Sequence, residues 1–192
     1  MNSICWRDLL FAALIGITFL FISVLASIVK HAEEVTQASK PVGNMVVMLI
    51  WPSTPNDVDC WVLGPEEPHA VGYSAKSGVN LDLLRDDLGL DPTEPFHFET
   101  VISRGIIPGE YVINAHLYRG AGKLPVPLIL EVDMNDGLDG HATRTLLKAE
   151  ATLDHEGEER TLIRFVLSKD GNIVPGSVSH LFKPLREATH AN

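Results

Sequence analysis

From Leu9 to Val29 the chain runs 21 positions without a charged side chain (LLFAALIGITFLFISVLASIV). At ~1.5 Å of rise per residue this is about 31 Å of helix, the thickness of a bilayer core. The stretch therefore sets the first question, whether it anchors the chain or is removed. A secretory signal has a basic start, an apolar stretch of ~7–15 residues and a small-x-small cleavage site. Val24-Leu25-Ala26 supplies such a site, but the run is longer and Arg7 is offset at once by Asp8. We therefore expect an uncleaved transmembrane anchor over residues 1–30. Arg7 and the terminal amine precede the run, while Lys30 and then the acidic His31-Ala32-Glu33-Glu34 follow it. The charge balance favours a short cytoplasmic N-terminus and a large exported C-terminal part.

Removing residues 1–30 takes away Arg7, Lys30 and Asp8 and leaves 13 basic against 24 acidic side chains, a charge of −11 on 162 residues. The basic residues are scattered singly, so the clustered Lys/Arg of a nucleic-acid surface is missing and no nucleic-acid partner is expected. Cys5 and Cys60 are the only cysteines. They fall on either side of the apolar run, so no disulfide framework is expected. A buried, unpaired Cys60 in a strand is the simpler reading than a bridge between two chains.

Residues 31–43 (HAEEVTQASKPVG) read as a linker or possible plug, broken by Pro41 and Gly43. Beyond it, apolar and β-branched runs recur between turn residues: Asn44–Trp51, Asp57–Leu63, Ala70–Tyr73, Phe96–Ser103, Glu110–Tyr118, Val126–Val132, Ala142–Leu153 and Arg160–Leu167. Short strands at this frequency predict a mainly β fold, an antiparallel β-sandwich over 44–183. In the segment from Glu110 to Tyr118, Tyr111, Ile113, Ala115 and Leu117 share one face and Val112, Asn114, His116 and Tyr118 the other. Leu81–Leu90 has room for one helical turn, and residues 184–192 read as a flexible tail.

Asp8 stands one residue before the charge-free run. An acidic side chain inside a membrane costs on the order of 2.5–3.5 kcal/mol at mid-bilayer, so a retained one faces a partner, a cavity or a proton path. The alternative is an interfacial charge pair with Arg7. The string Trp6-Arg7-Asp8-Leu9-Leu10-Phe11-Ala12-Ala13-Leu14, followed by Phe19-Leu20-Phe21, resembles the single transmembrane helix of the B subunits of proton-driven motors, the MotB, ExbD and TolR family. The resemblance implies that Asp8 carries protons. It also implies a homodimer whose two helices lie inside about five copies of a MotA/ExbB/TolQ-like multi-helix protein. The exported part has neither the peptidoglycan-binding pattern of MotB nor the small mixed α/β domain of ExbD and TolR.

The exported part is similar instead to a group of uncharacterised β-sandwich proteins, through Asp57-Val58-Asp59-Cys60-Trp61-Val62, Leu81-Asp82-Leu83-Leu84-Arg85-Asp86-Asp87 and Pro108-Gly109-Glu110-Tyr111-Val112. This resemblance implies a binding or scaffolding module. Asp57 and Asp59 are two apart and project from one strand face, and Asp82, Asp86, Asp87 and Asp91 form a second acidic cluster. Oxygens gathered from both would suit Ca²⁺, with Asp57, Asp59, Asp86 and Asp87 as ligands. Turn capping and pairing with Arg85 or Arg104 is the alternative. Trp51 and Trp61 flank the D-x-D segment, placed either to stack on a ligand such as a sugar ring or to fill the core. No G-x-S-x-G, H-E-x-x-H or C-x-x-C occurs and the histidines are dispersed, so no enzymatic activity is expected. Two functions follow: a B-type subunit of a proton-driven complex, or a membrane-tethered binding or structural module for envelope polymer, calcium or protein.

Overall fold

The computed structural model describes residues 10–23, 44–135 and 143–186. The chain divides into two units, Met1–Lys40 and Pro41–Asn192. In the first, α1 covers residues 10–23, within the apolar run. Its polar hydroxyls are satisfied internally, with Thr18 Oγ1 donating to the Leu14 carbonyl at 2.8 Å and Ser23 Oγ to that of Phe19 at 2.9 Å. No helix among the described residues is long and apolar enough to cross a membrane. Asp8, the ends of the apolar run and the linker 31–43 lie outside the described residues.

The second unit is mainly β, as the spacing of apolar runs predicts. Eight strands, β1 (Met45–Pro52), β2 (Asn56–Leu63), β3 (Leu81–Arg85), β4 (Phe96–Ser103), β5 (Gly109–Gly120), β6 (Val126–Asn135), β7 (Thr143–Leu153) and β8 (Glu159–Leu167), form two antiparallel sheets. One is ordered β3-β4-β1-β6-β7 and the other β2-β5-β8. Residues from both inner faces make one core, from Met45, Val47, Leu49 and Trp51 of β1 to Tyr111, Ile113, Ala115 and Leu117 of β5. Tyr111 stacks on Phe165 with ring centroids 5.6 Å apart, an offset contact aromatic pairs favour.

The alternation in β5 therefore points as the sequence predicts. The other face of the three-stranded sheet carries a second cluster, in which Val112 and Trp61 are covered by Ala70 and Leu185. Two expectations are corrected. Leu81–Arg85 is strand β3, not a helical turn, because pairing of Leu81 with Ser103 and Leu83 with Val101 buries both leucines. Ala70–Tyr73 makes only isolated bridges, Val62 to Val71 and Gly72 to Ala75.

Candidate functional site

The most unusual chemistry of the sandwich lies where β2, β4 and the loop after β3 meet. Register decides it. Leu49 pairs with Glu99 and Trp51 with His97, and side chains directly opposite in an antiparallel pair share a face. Glu99 and His97 therefore join Leu49 and Trp51 on the inner face, 0 % and 1 % exposed. Phe96 and Phe98 turn outward instead, where the Arg85 guanidinium sits 4.0 Å from the Phe98 ring centre.

Glu99 finishes the open edge of β2. The Cys60 N–H donates to its Oε2 at 2.7 Å and the Asp87 N–H to its Oε1 at 3.3 Å. Two N–H donors do not replace lost water, and burial pushes the Glu99 carboxyl up to about 9, against the pull of the Cys60 N–H. It is therefore protonated at neutral pH. Burial also pushes the Cys60 thiol up, with the neighbouring Glu99 adding to it, so Cys60 is an inert core residue.

Asp57 and Asp59 are each 3 % exposed. Burial, and then the charge of Asp59, lift Asp57 to about 6, while Arg119 at 3.7 Å pulls it down. Asp59 is also raised by burial, opposed by His116, whose Nδ1 lies 2.8 Å away on the directly opposite position of β5. Asp86 meets Lys76 at 2.8 Å. Burial raises Asp87, but Arg85 at 2.9 Å and the N–H groups of Gly89 and Phe98 outweigh it, so its carboxyl is held below the usual range. His97 Nδ1 faces Asp87 Oδ1 at 3.2 Å.

The loop after β3 is held over this cluster by close backbone approach. Gly89 has φ +65°, and a Cβ there would stand 1.9 Å from the Asn56 carbonyl oxygen, so only glycine fits. The same carbonyl accepts the Trp51 Nε1–H at 3.0 Å.

The fold thus brings together the four aspartates that the sequence singles out, Asp57, Asp59, Asp86 and Asp87, close enough that the charges of the other three raise Asp57 and that of Asp86 raises Asp59. It does not arrange them as a calcium shell. A calcium ion takes 6–8 oxygens at about 2.3–2.6 Å, whereas these carboxylates face Arg119, His116, Lys76 and Arg85. Among the described residues no group of three or more His, Cys, Asp or Glu side chains is placed to hold a metal ion. Asp82 pairs with Arg104 at 2.5 Å and Asp91 caps Thr93 at 2.9 Å, the turn-and-ion-pair reading.

Trp51 and Trp61 are 1 % and 2 % exposed. Neither offers a ring face to a ligand, because Trp51 packs beside His97 and Trp61 against Tyr73 and Gly72. His97 and Glu99 are the residues that sequence reasoning misses. The alternation of Phe96, Phe98 and Ile102 against His97, Glu99 and Ser103 was the available signal, but it points the phenylalanines inward.

The outer face of the five-stranded sheet carries a second feature. Ile50 pairs with Phe98 and with Ile129, and Pro52 with Phe96, which sets an apolar row across β4, β1 and β6. Phe96 and Ile129 are 43 % and 44 % exposed. Beside the row lies an open groove of about 510 Å³, lined by Pro127, Leu128, Ile129, Glu150, Ala151, Thr152 and Arg160. Comparison of the chain with protein-family models, curated proteins and solved structures finds no match.

Proposed function

We propose that the β-sandwich is a binding head, displayed outside the cytoplasm by a membrane-anchored N-terminal helix. The outer face of the five-stranded sheet carries this reading. A solvent-facing sheet normally alternates toward polar residues, yet here Phe96, Phe98, Ile50, Ile129 and Pro127 are gathered at one end of it, next to the groove between Glu150 and Arg160. A contiguous apolar patch with a charged rim is the usual mark of a protein contact. Catalysis draws no support from the cluster around Glu99, because His97, Glu99, Asp57 and Asp59 are sealed from any substrate.

The test is a photo-reactive residue at Ile129 in the full chain in intact cells, with one at Val79, exposed but remote in sequence from the groove, as the control. A discrete adduct at Ile129 alone supports the head. Equal labelling at both positions, or none, sinks it.

A second reading keeps the head and gives its anchor an activity. The specific observation is Asp8, set just before the 21-residue charge-free run, in a segment that resembles the B subunits of proton-driven motors. On this reading Asp8 accepts and releases protons inside a ring of MotA/ExbB/TolQ-like subunits in the inner membrane, and the head passes the resulting movement to its partner. Co-purification with such a multi-helix protein and measured proton flux in vesicles test it. Asp8→Asn abolishes flux if the reading holds; unchanged flux, or no stable complex, leaves the helix a plain tether.

A further inference from the structure

Two sheets have four edges, and an open edge is a row of unpaired N–H and C=O groups that invites another strand. In this sandwich the chain covers three of the four itself. The β2 edge is met by Val71, which exchanges N–H···O bonds with Val62 at 2.9 and 2.8 Å, and by Glu99 on the Cys60 N–H. The β3 edge is met by residues 76–78, through Leu83 N–H to the Lys76 carbonyl and Gly78 N–H to the Leu81 carbonyl, both 2.8 Å. The β8 edge is met by the segment after it, with Arg164 and Ser179 bonded both ways at 2.8 and 2.9 Å and the Val174 N–H on the Val166 carbonyl at 2.9 Å.

The fourth edge is β7. It ends the five-stranded sheet, and among the described residues no backbone bond outside its pairing with β6 involves residues 143–153. The strand is 11 residues long, twice the ordinary length. Its bulge opposite Val132 and Asp133 lies toward one end, which leaves Leu147–Leu153 as a regular edge.

We propose that this edge pairs with the same edge of a second copy of the chain, antiparallel about a two-fold axis at Ala149, joining two five-stranded sheets into one of ten. Charge fixes both the partner and the register. Lys148 and Glu150 flank Ala149 and share the outer face, where Lys148 already meets Glu131 on β6. The Glu150 carboxylate is exposed and has no ion pair among the described residues. With Ala149 opposite the partner's Ala149, Lys148 stands opposite the partner's Glu150 and Glu150 opposite the partner's Lys148. Two opposite-charge pairs form where one strand alone has none. Because directly opposed residues must share a face, the adjacent two-fold registers shift by two in residue sum, and these set Lys148 against itself or Glu150 against itself. Like charges directly opposite are destabilising, so of these three registers only the Ala149-centred one is attractive. The inner face agrees: Leu147 meets the partner's Ala151, a large residue against a small one.

This goes beyond the binding-head reading, since it names a second copy as the occupant of the edge; it leaves the apolar row across β4, β1 and β6 accessible and covers the β7 side of the groove. It also stands whether or not Asp8 moves protons. Directly opposed positions have Cβ atoms ~4.5–5.5 Å apart, within reach of a disulfide after slight adjustment. The test is therefore Ala149→Cys in the full chain in mild detergent, with Cys5→Ser to remove background and Val79→Cys as the control. Mild oxidation is expected to give a covalent dimer from Ala149→Cys and little from Val79→Cys.

Adding Lys148→Glu is expected to lower the initial rate of crosslinking about tenfold, by opposing like charges twice, and adding Glu150→Lys as well is expected to restore it. Lys148→Glu also sets a like charge opposite Glu131 on β6, but the Lys148 side chain is 62 % exposed, so the melting temperature followed by tryptophan fluorescence should fall by no more than a few degrees and separate lost pairing from lost fold. No crosslink at Ala149, a crosslink indifferent to Lys148→Glu, or a double variant that fails to recover would each overturn the proposal.

Discussion

Replacing Glu99 by Gln should make the sandwich more stable, and increasingly so as pH rises. In the folded chain burial holds the Glu99 proton to about pH 9, whereas unfolded it leaves near 4.5. Between these values the folded state binds one proton more than the unfolded state, so stability falls as pH rises, by about 1.36 kcal/mol per unit. Asp57, lifted to about 6, contributes the same sign but only below that pH. A window from pH 6.5 to 8.5 therefore isolates Glu99, and over it the parent should lose about 2.5 kcal/mol that the variant keeps.

Glutamine retains the shape and one acceptor for the Cys60 N–H at 2.7 Å, and gives up the longer bond from the Asp87 N–H at 3.3 Å, which costs about 1 kcal/mol at every pH. That offset moves the two curves together or apart as a whole and leaves their divergence unchanged. Denaturant unfolding of the full chain in mild detergent, read by the fluorescence of the buried Trp51 and Trp61, gives the free energies directly. Parallel curves for parent and Glu99→Gln across the window would refute the reasoning, since they would mean that Glu99 is ionised in the folded sandwich.

His116→Ala should destabilise by about 3 kcal/mol at pH 7, because it strips the 2.8 Å partner from an Asp59 that is 3 % exposed; Asp59→Asn added to it should recover part of the loss, as seen in melting curves. Gly89→Ala should cost at least about 2 kcal/mol, since it combines a left-handed backbone with a Cβ 1.9 Å from the Asn56 oxygen, and amide exchange should rise first at the indole-bonded Asn56 end of β2. Because Asp57, Asp59, Asp86 and Asp87 face Arg119, His116, Lys76 and Arg85, millimolar Ca²⁺ and excess chelator should give the same melting temperature within about 1 °C; a rise of several degrees with Ca²⁺ would restore the calcium reading.

The strands themselves were legible wherever alternation was strict. β4 is read at its bounds, β5 to within two residues, and both faces of β5 are assigned by period alone. Leu81–Arg85 was misread because Leu81, Leu84 and Leu88 also satisfy a helical spacing, and only the partner strand β4 breaks the tie. The acidic cluster was half legible. Composition and the D-x-D spacing single out the aspartates, but their partners are set by register over long separations, as with His116 opposite Asp59. Glu99 was hidden for a different reason. A strand bearing Phe96 and Phe98 on one side and His97 and Glu99 on the other is expected to bury its aromatics, and the pairing of β4 with β1 reverses that order.

The place of β1 has a mechanical meaning. It is the first of the eight strands, and it lies in the middle of its sheet, bonded to β4 along its whole length and to β6 from Met45 to Ile50. On the proposed reading of a tethered head, a tug would enter at Met45 and run along the strand, at right angles to the ladder bonds on both sides. The two ladders are then loaded together in shear and do not open one bond at a time, as a peeled edge strand would. A head fixed at its outer face would then pass tension to its partner through a strand bonded on both sides.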